Sequence, residues 1–185
     1  MFREKEKYYA KMEIRPWQIE DADSIAYHAN NMNIAGNLRD IFPHPYTKKD
    51  AEFYIRMCLD ANPKKEMYRT ISVDNLAVGS ISLIRGNDIH CMEAELGYFL
   101  SEDYWDLGIT TKAIPLICKE AFESWDIVRI YAEVFAFNIP SRRVLEHNGF
   151  RLEGTLQNSI CKNGVLQNSC IYALLKEDFS MNCSN

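Results

Sequence analysis

Residues 94–113 read Ala94-Glu95-Leu96-Gly97-Tyr98-Phe99-Leu100-Ser101-Glu102-Asp103-Tyr104-Trp105-Asp106-Leu107-Gly108-Ile109-Thr110-Thr111-Lys112-Ala113, and across Gly108 their apolar spacing changes from strand-like to helical. A helix opening there leaves the backbone amides of Leu107, Gly108, Ile109, Thr110 and Thr111 as helix-start donors. Together with the positive end of the helix dipole they form an anion site that needs no basic side chain. A pyrophosphate fits such a site. The next stretch repeats the device: residues 128–135 form a β-branched and aromatic strand, Asn138 caps a helix over residues 139–148, and Gly149 closes it.

Outward from this centre the pattern stays that of one domain. Residues 13–17 predict a short strand, and residues 19–31 a helix with Ile19, Ala22, Ile25, Ala26 and Ala29 on one side. The prolines of Phe42-Pro43-His44-Pro45 break the chain before Thr47 caps a helix to about residue 59. Residues 68–73 and 76–84 predict a hairpin about Asp74-Asn75, and residues 91–100 the next strand. The helix after Gly108 places Ala113, Ile114, Ile117, Cys118, Ala121 and Phe122 on one face, while Pro115 implies either a kink or a later start. Residues 151–160 and 166–175 form a last hairpin about Lys162-Asn163-Gly164. The sum is a mixed α/β domain over residues 12–178 with a central, mostly antiparallel sheet, and tails at 1–11 and 179–185.

Composition narrows the function classes. A chain of 185 residues with 47% hydrophobic content buries a substantial core without a second domain. No run approaches the ~18 apolar residues of a membrane span, and the first residues lack a signal peptide's apolar centre, so a cytoplasmic protein is expected. A net charge of −5 argues against nucleic-acid binding and suits a cationic substrate. The six cysteines and four histidines show no metal-ligand spacing, so no metal is expected.

Two motifs carry a family resemblance. Tyr104-Trp105-x-x-Gly108-Ile109-x-Thr111-x-Ala113, followed by Asn138-Ile139-Pro140-Ser141-Arg142-Arg143-Val144-Leu145-Glu146-x-x-Gly149-Phe150, resembles the acetyl-CoA core of the GNAT N-acetyltransferases. The flanks Leu38-Arg39-Asp40-x-Phe42-Pro43-His44-Pro45-Tyr46-Thr47 and Leu152-Glu153-Gly154-Thr155-Leu156 are similar to its RimJ/RimL-like branch, which acts on protein amino termini, polyamines and other amines. The resemblance implies a sheet splayed between strands 4 and 5 and flanked by helices, with acetyl-CoA as co-substrate in the opening. It also implies direct transfer to a primary amine in a ternary complex. The partners it implies are acetyl-CoA and an amine acceptor, with a homodimer as one possible assembly.

The same resemblance assigns residues. Leu107, Gly108, Ile109, Thr110, Thr111 and Lys112 would hold pyrophosphate, Phe99 and Leu100 would offer backbone groups to pantetheine, and Asn138 and Arg143 would reach the cofactor. Arg142 is a second basic residue near the phosphates. An amine is mostly protonated at neutral pH, so a base is needed, and Glu95 is the candidate, with Glu93 as its alternate. The other reading of Glu95 is a structural partner for an arginine. Ser141 would offer a hydroxyl to the departing sulfur, where other family members place a Tyr at the position of Leu145; its other reading is a local cap. Leu38, Arg39, Phe42, His44 and Tyr46, with Asp40, would line the acceptor pocket. Three departures stand out: Asp106 and Thr110 where the family usually has small residues, and Leu107 where it often has a basic one. Lys112 compensates with positive charge. Those departures motivate a rival reading, a catalytically weak acyl-CoA-binding module.

Overall fold

The computed structural model describes residues 11–182. Its seven-stranded sheet has the order β1-β2-β3-β4-β5-β7-β6, with strands β1 (Met12–Arg15), β2 (Glu66–Val73), β3 (Leu76–Arg85), β4 (Glu93–Leu100), β5 (Arg129–Phe135), β6 (Arg151–Lys162) and β7 (Val165–Leu175). Neighbours run antiparallel except β4 and β5, which run parallel. Both expected hairpins form on two-residue turns whose residues all have positive φ: 48° and 68° at Asp74 and Asn75, 51° and 77° at Asn163 and Gly164. Asn, Asp and Gly tolerate that conformation at low cost, and its twist matches the flanking strands.

Helices cover both faces. On one side α1 (Ala22–Ala29) and α3 (Lys48–Leu59) bury Ile25, Ala29, Ala51 and Ile55 with Trp17, Tyr46 and Ala77. On the other, α4 (Ile109–Ser124) buries Ala113, Ile114, Ile117, Cys118, Ala121 and Phe122, the face that the spacing predicted, against Leu83, Ala94, Leu96 and Ile130. The short α5 (Ile139–His147) packs beside it through Leu145, which is fully buried. Thr47 caps α3 reciprocally with Asp50.

Three local expectations change. Residues 19–21 form a tight 3₁₀ turn before α1 because Asp21 is engaged with the backbone amide of Gln18 and with the Arg15 guanidinium. A four-residue helix, α2 (Met32–Ala35), follows α1, with Asn31 accepting from the Asn33 amide. A terminal helix, α6 (Lys176–Asn182), runs on past residue 178, because Phe179 packs on Phe122. Pro115 lies inside α4, which starts at Ile109 and not later. No helix among the described residues is long and apolar enough to cross a membrane. The expected tail at 1–11 lies outside the described residues apart from Lys11.

Candidate active site

The site is set by where strand pairing stops. β4 and β5 pair only through Glu93↔Arg129, Ala94↔Ile130 and Glu95↔Tyr131, after which β4 stays with β3 as far as Gly79↔Leu100 while β5 continues with β7 to Phe135↔Ser169. The sheet is therefore splayed at the carboxyl ends of two parallel strands, the place where open α/β sheets bind ligands. α4 follows β4 and α5 follows β5, so both helix starts stand at this opening.

The edge of β4 at the opening carries spare backbone groups. The Ser101 amide bonds the Val78 carbonyl and the Gly86 amide bonds the Glu93 carbonyl, while the Val128 amide reaches Met92 from the β5 side. By the alternation of a strand, odd-numbered β4 residues spend their backbone groups on β3, and Leu96, Tyr98 and Leu100 turn theirs to the opening. Phe99's own amide and carbonyl thus belong to β3. The Leu100 carbonyl accepts from the Trp105 indole at 2.8 Å, which ties the turn before α4 to the strand.

Within that turn, Asp106 has φ 62° and Gly108 φ 70°. A Cβ on Gly108 would meet nothing within 4 Å, so backbone conformation and not crowding calls for glycine there. The first hydrogen bond of α4 runs from the Lys112 amide to the Gly108 carbonyl at 3.1 Å; the amides of Ile109, Thr110 and Thr111 precede it. They form the helix-start donor set that a pyrophosphate requires. Asp106 occupies a left-handed position, a conformation that Asp adopts more readily than most side chains.

At α5, Asn138 Oδ1 accepts from the Ser141 amide at 3.2 Å, so the cap reading of Asn138 holds and its Nδ2 group is left to donate elsewhere. Ser141 Oγ lies 2.7 Å from the Tyr98 hydroxyl. Arg142 is occupied by the Tyr172 hydroxyl and the Ala136 carbonyl, at 3.1 Å each, whereas Arg143 is exposed.

On the opposite face of the sheet, the structure joins two residues that the sequence placed in different roles: the Arg39 guanidinium forms an ion pair with the Glu95 carboxylate. Glu93 is held by Arg129 and by His90, which makes it the less available carboxylate. Tyr131 stands beside them, its hydroxyl pushed up chiefly by burial and then by the charges of Glu95 and Glu93. Phe42 stacks on Tyr46 at 4.9 Å and meets Phe99 edge-on at 5.3 Å, forming an aromatic wall. Tyr46 is buried, His44 exposed. Lys162, at the tip of the β6–β7 hairpin, donates to the Leu38 carbonyl at 2.8 Å and to Asp40 at 2.6 Å. Residues 38–40 are therefore stitched to β4 on one side and to the last hairpin on the other.

Sequence reasoning missed Tyr98, Tyr131 and Lys162. Tyr98 alone carried a readable signal, since a tyrosine on the core-facing side of a strand needs a partner for its hydroxyl.

Comparison with known proteins agrees with this geometry. Residues 11–151 match the family model described as an acetyltransferase (GNAT) domain. The chain is 30% identical over 177 residues to the probable N-acetyltransferase YjcK of Bacillus subtilis, covering 89% of this chain and 94% of that protein. Among solved structures, RimL, a ribosomal L7/L12 alpha-N-protein acetyltransferase in complex with coenzyme A, aligns with a TM-score of 0.80 at 20% identity over 90% of this chain and 94% of its own. Spermidine N-acetyltransferase from Vibrio cholerae, in complex with CoA and spermine, aligns with a TM-score of 0.76 at 22% identity over 92% and 99%. The chain belongs to the GNAT acetyltransferase family.

Proposed function

We propose that this protein transfers the acetyl group of acetyl-CoA to a primary amine by direct attack in a ternary complex. The observation that carries the reading is the end of β4–β5 pairing at Glu95↔Tyr131, with two helix starts standing at the gap. The amides of Ile109, Thr110 and Thr111 bind the pyrophosphate, supported by Leu107, Gly108 and Lys112. The backbone groups of Tyr98 and the Leu100 amide extend the sheet onto the pantetheine arm, and Asn138 and Arg143 add contacts from α5. Glu95, or water held by it, takes the proton that the amine must lose before attack, and Ser141 faces the thioester sulfur. When an amine enters, its positive charge competes with Arg39 for Glu95.

The acceptor enters from the face bearing Arg39, Phe42, Phe99 and Glu95. Glu93, Glu95 and Asp40 on or beside this face are each paired with a basic side chain, Arg129, Arg39 and Lys162, so a cationic acceptor gains a carboxylate by displacing such a partner. The RimL and spermidine acetyltransferase neighbours support two acceptor classes, a protein amino terminus and a small polyamine-like amine. Measuring both free CoA thiol and acetylated product over a panel of N-terminal peptides and polyamines tests the proposal. Coupled appearance of the two with one class is the expected result. Tight acetyl-CoA binding with no turnover on any amine would replace an enzyme by a binding module.

A further inference from the structure

Tyr98 reaches from the splayed end of β4 to the first turn of α5. Its ring packs on the core beneath α4, and its hydroxyl lies 2.7 Å from Ser141 Oγ and 3.3 Å from the Ser141 carbonyl oxygen. A phenol has one hydrogen, so it cannot donate to both. If Tyr98 donates to the carbonyl, which only accepts, then the serine hydrogen points back to the phenol oxygen. If Tyr98 donates to Oγ, the serine hydrogen is released toward the opening. The two arrangements differ by rotation of two hydroxyl hydrogens, with no heavy atom moved. Only the second makes Ser141 a donor to a ligand.

We propose that Tyr98 is a positioning residue for acyl transfer, donating to Ser141 Oγ as charge develops on the CoA sulfur and so turning the serine hydrogen onto that sulfur. The inference rests on the reading that Ser141 faces the thioester. As the amine nitrogen bonds to the acetyl carbon and the C–S bond breaks, the bond's electron pair stays on sulfur. The amine proton leaves separately, through Glu95 or water. Neither hydroxyl gives up its proton: burial pushes the Tyr98 hydroxyl up to about 12, so transfer to a thiolate, with a thiol pKa of ~8.5, runs uphill. The sulfur departs as a thiolate held by a chain of two hydrogen bonds, each polarising the other. The start of α5 adds its dipole in the same sense.

Titration of the CoA thiol in the binary complex, followed by ultraviolet thiolate absorbance, tests this without an acceptor. The bound thiol should ionise about one pH unit below free CoA, a tenfold stabilisation of the thiolate. Tyr98→Phe and Ser141→Ala should each return it most of the way, and the double variant should match the single ones. A wild-type titration in Tyr98→Phe beside a lost shift in Ser141→Ala would make Tyr98 a packing residue and leave the reading of Ser141 intact. Absence of any shift in the wild type would overturn both. Should Tyr98→Phe fold poorly, site-specific 3-fluorotyrosine at position 98 keeps the shape and strengthens the donor. It should lower the bound thiol's ionisation further, and an unchanged value would overturn the proposal.

Discussion

Asp106 combines two features that glycine would separate, a left-handed backbone and a charge beside the proposed pyrophosphate site. Its φ of 62° is reached by Asp or Asn far more easily than by other side chains, so Asp106→Asn keeps the turn and removes the charge. That variant should bind acetyl-CoA more tightly than the wild type, with a gain that shrinks as salt screens it, readable by calorimetry at two ionic strengths. Weaker binding would mean that the carboxylate supports the loop. Gly108→Ala has room for its methyl group but not the conformation, and should cost about 1–2 kcal/mol of stability by denaturant titration. Glu95 poses the other residue-scale question, because the sequence left base and arginine partner open and the structure shows the partner. The two roles are compatible. Loss of a positioned base costs ~10² to 10⁴ in rate, so Glu95→Gln should slow turnover by that range, leave the acetyl-CoA dissociation constant unchanged and recover partly at high pH, where the amine deprotonates in solution. Turnover within a few-fold of wild type would leave Glu95 only its ion pair with Arg39.

At the scale of elements, what the sequence disclosed was what short-range chemistry decides. The turns at Asp74-Asn75 and Asn163-Gly164, the Thr47 cap and the apolar face of α4 each depend on residues within one or two turns of one another, and each forms. Pro115 was ambiguous because a proline reads alike as a kink and as a start signal; the helix runs through it, which only packing against the sheet decides. α2 is too short to show a period, and α6 depends on Phe179 meeting Phe122, a contact invisible along the chain. The candidate site divides the same way. Gly108, Asn138 and Ser141 were legible from motif spacing, whereas the Tyr98–Ser141 pair spans 43 residues and the Lys162–Leu38 pair 124, distances at which no local pattern operates. α5 shows how element and site are coupled: Asn138→Ala should cost about 1 kcal/mol through the lost cap. Because the same side chain orders the turn that carries Ser141, acetyl-CoA affinity should fall with it, and a stability loss with unchanged affinity would confine Asn138 to capping.

Across the whole molecule, the splayed sheet leaves one opening with two mouths, and the two are built differently. The mouth at the helix starts is made largely of backbone amides at the start of α4, with Asn138 and Ser141 at the start of α5. The opposite mouth is made of side chains on separate elements: Arg39 ties its segment to Glu95 on β4, and Lys162 ties the neighbouring residues to the β6–β7 hairpin. Of the two Lys162 contacts, the one to the Leu38 carbonyl should dominate. The Asp40 carboxylate is 70% exposed, and an ion pair to so exposed a partner is worth ~1 kcal/mol or less, whereas a charge-assisted bond from a lysine only 13% exposed is worth ~1.5–3 kcal/mol. Lys162→Met keeps the apolar stem and removes both contacts, while Asp40→Asn removes only the weaker. If this strap forms the acceptor's wall, Lys162→Met should raise the acceptor KM up to about tenfold, as 1.4 kcal/mol implies, with acetyl-CoA affinity unchanged and Asp40→Asn close to wild type. A change in acetyl-CoA affinity of the same size would show instead that the strap braces the entire opening, and that the two mouths are mechanically one.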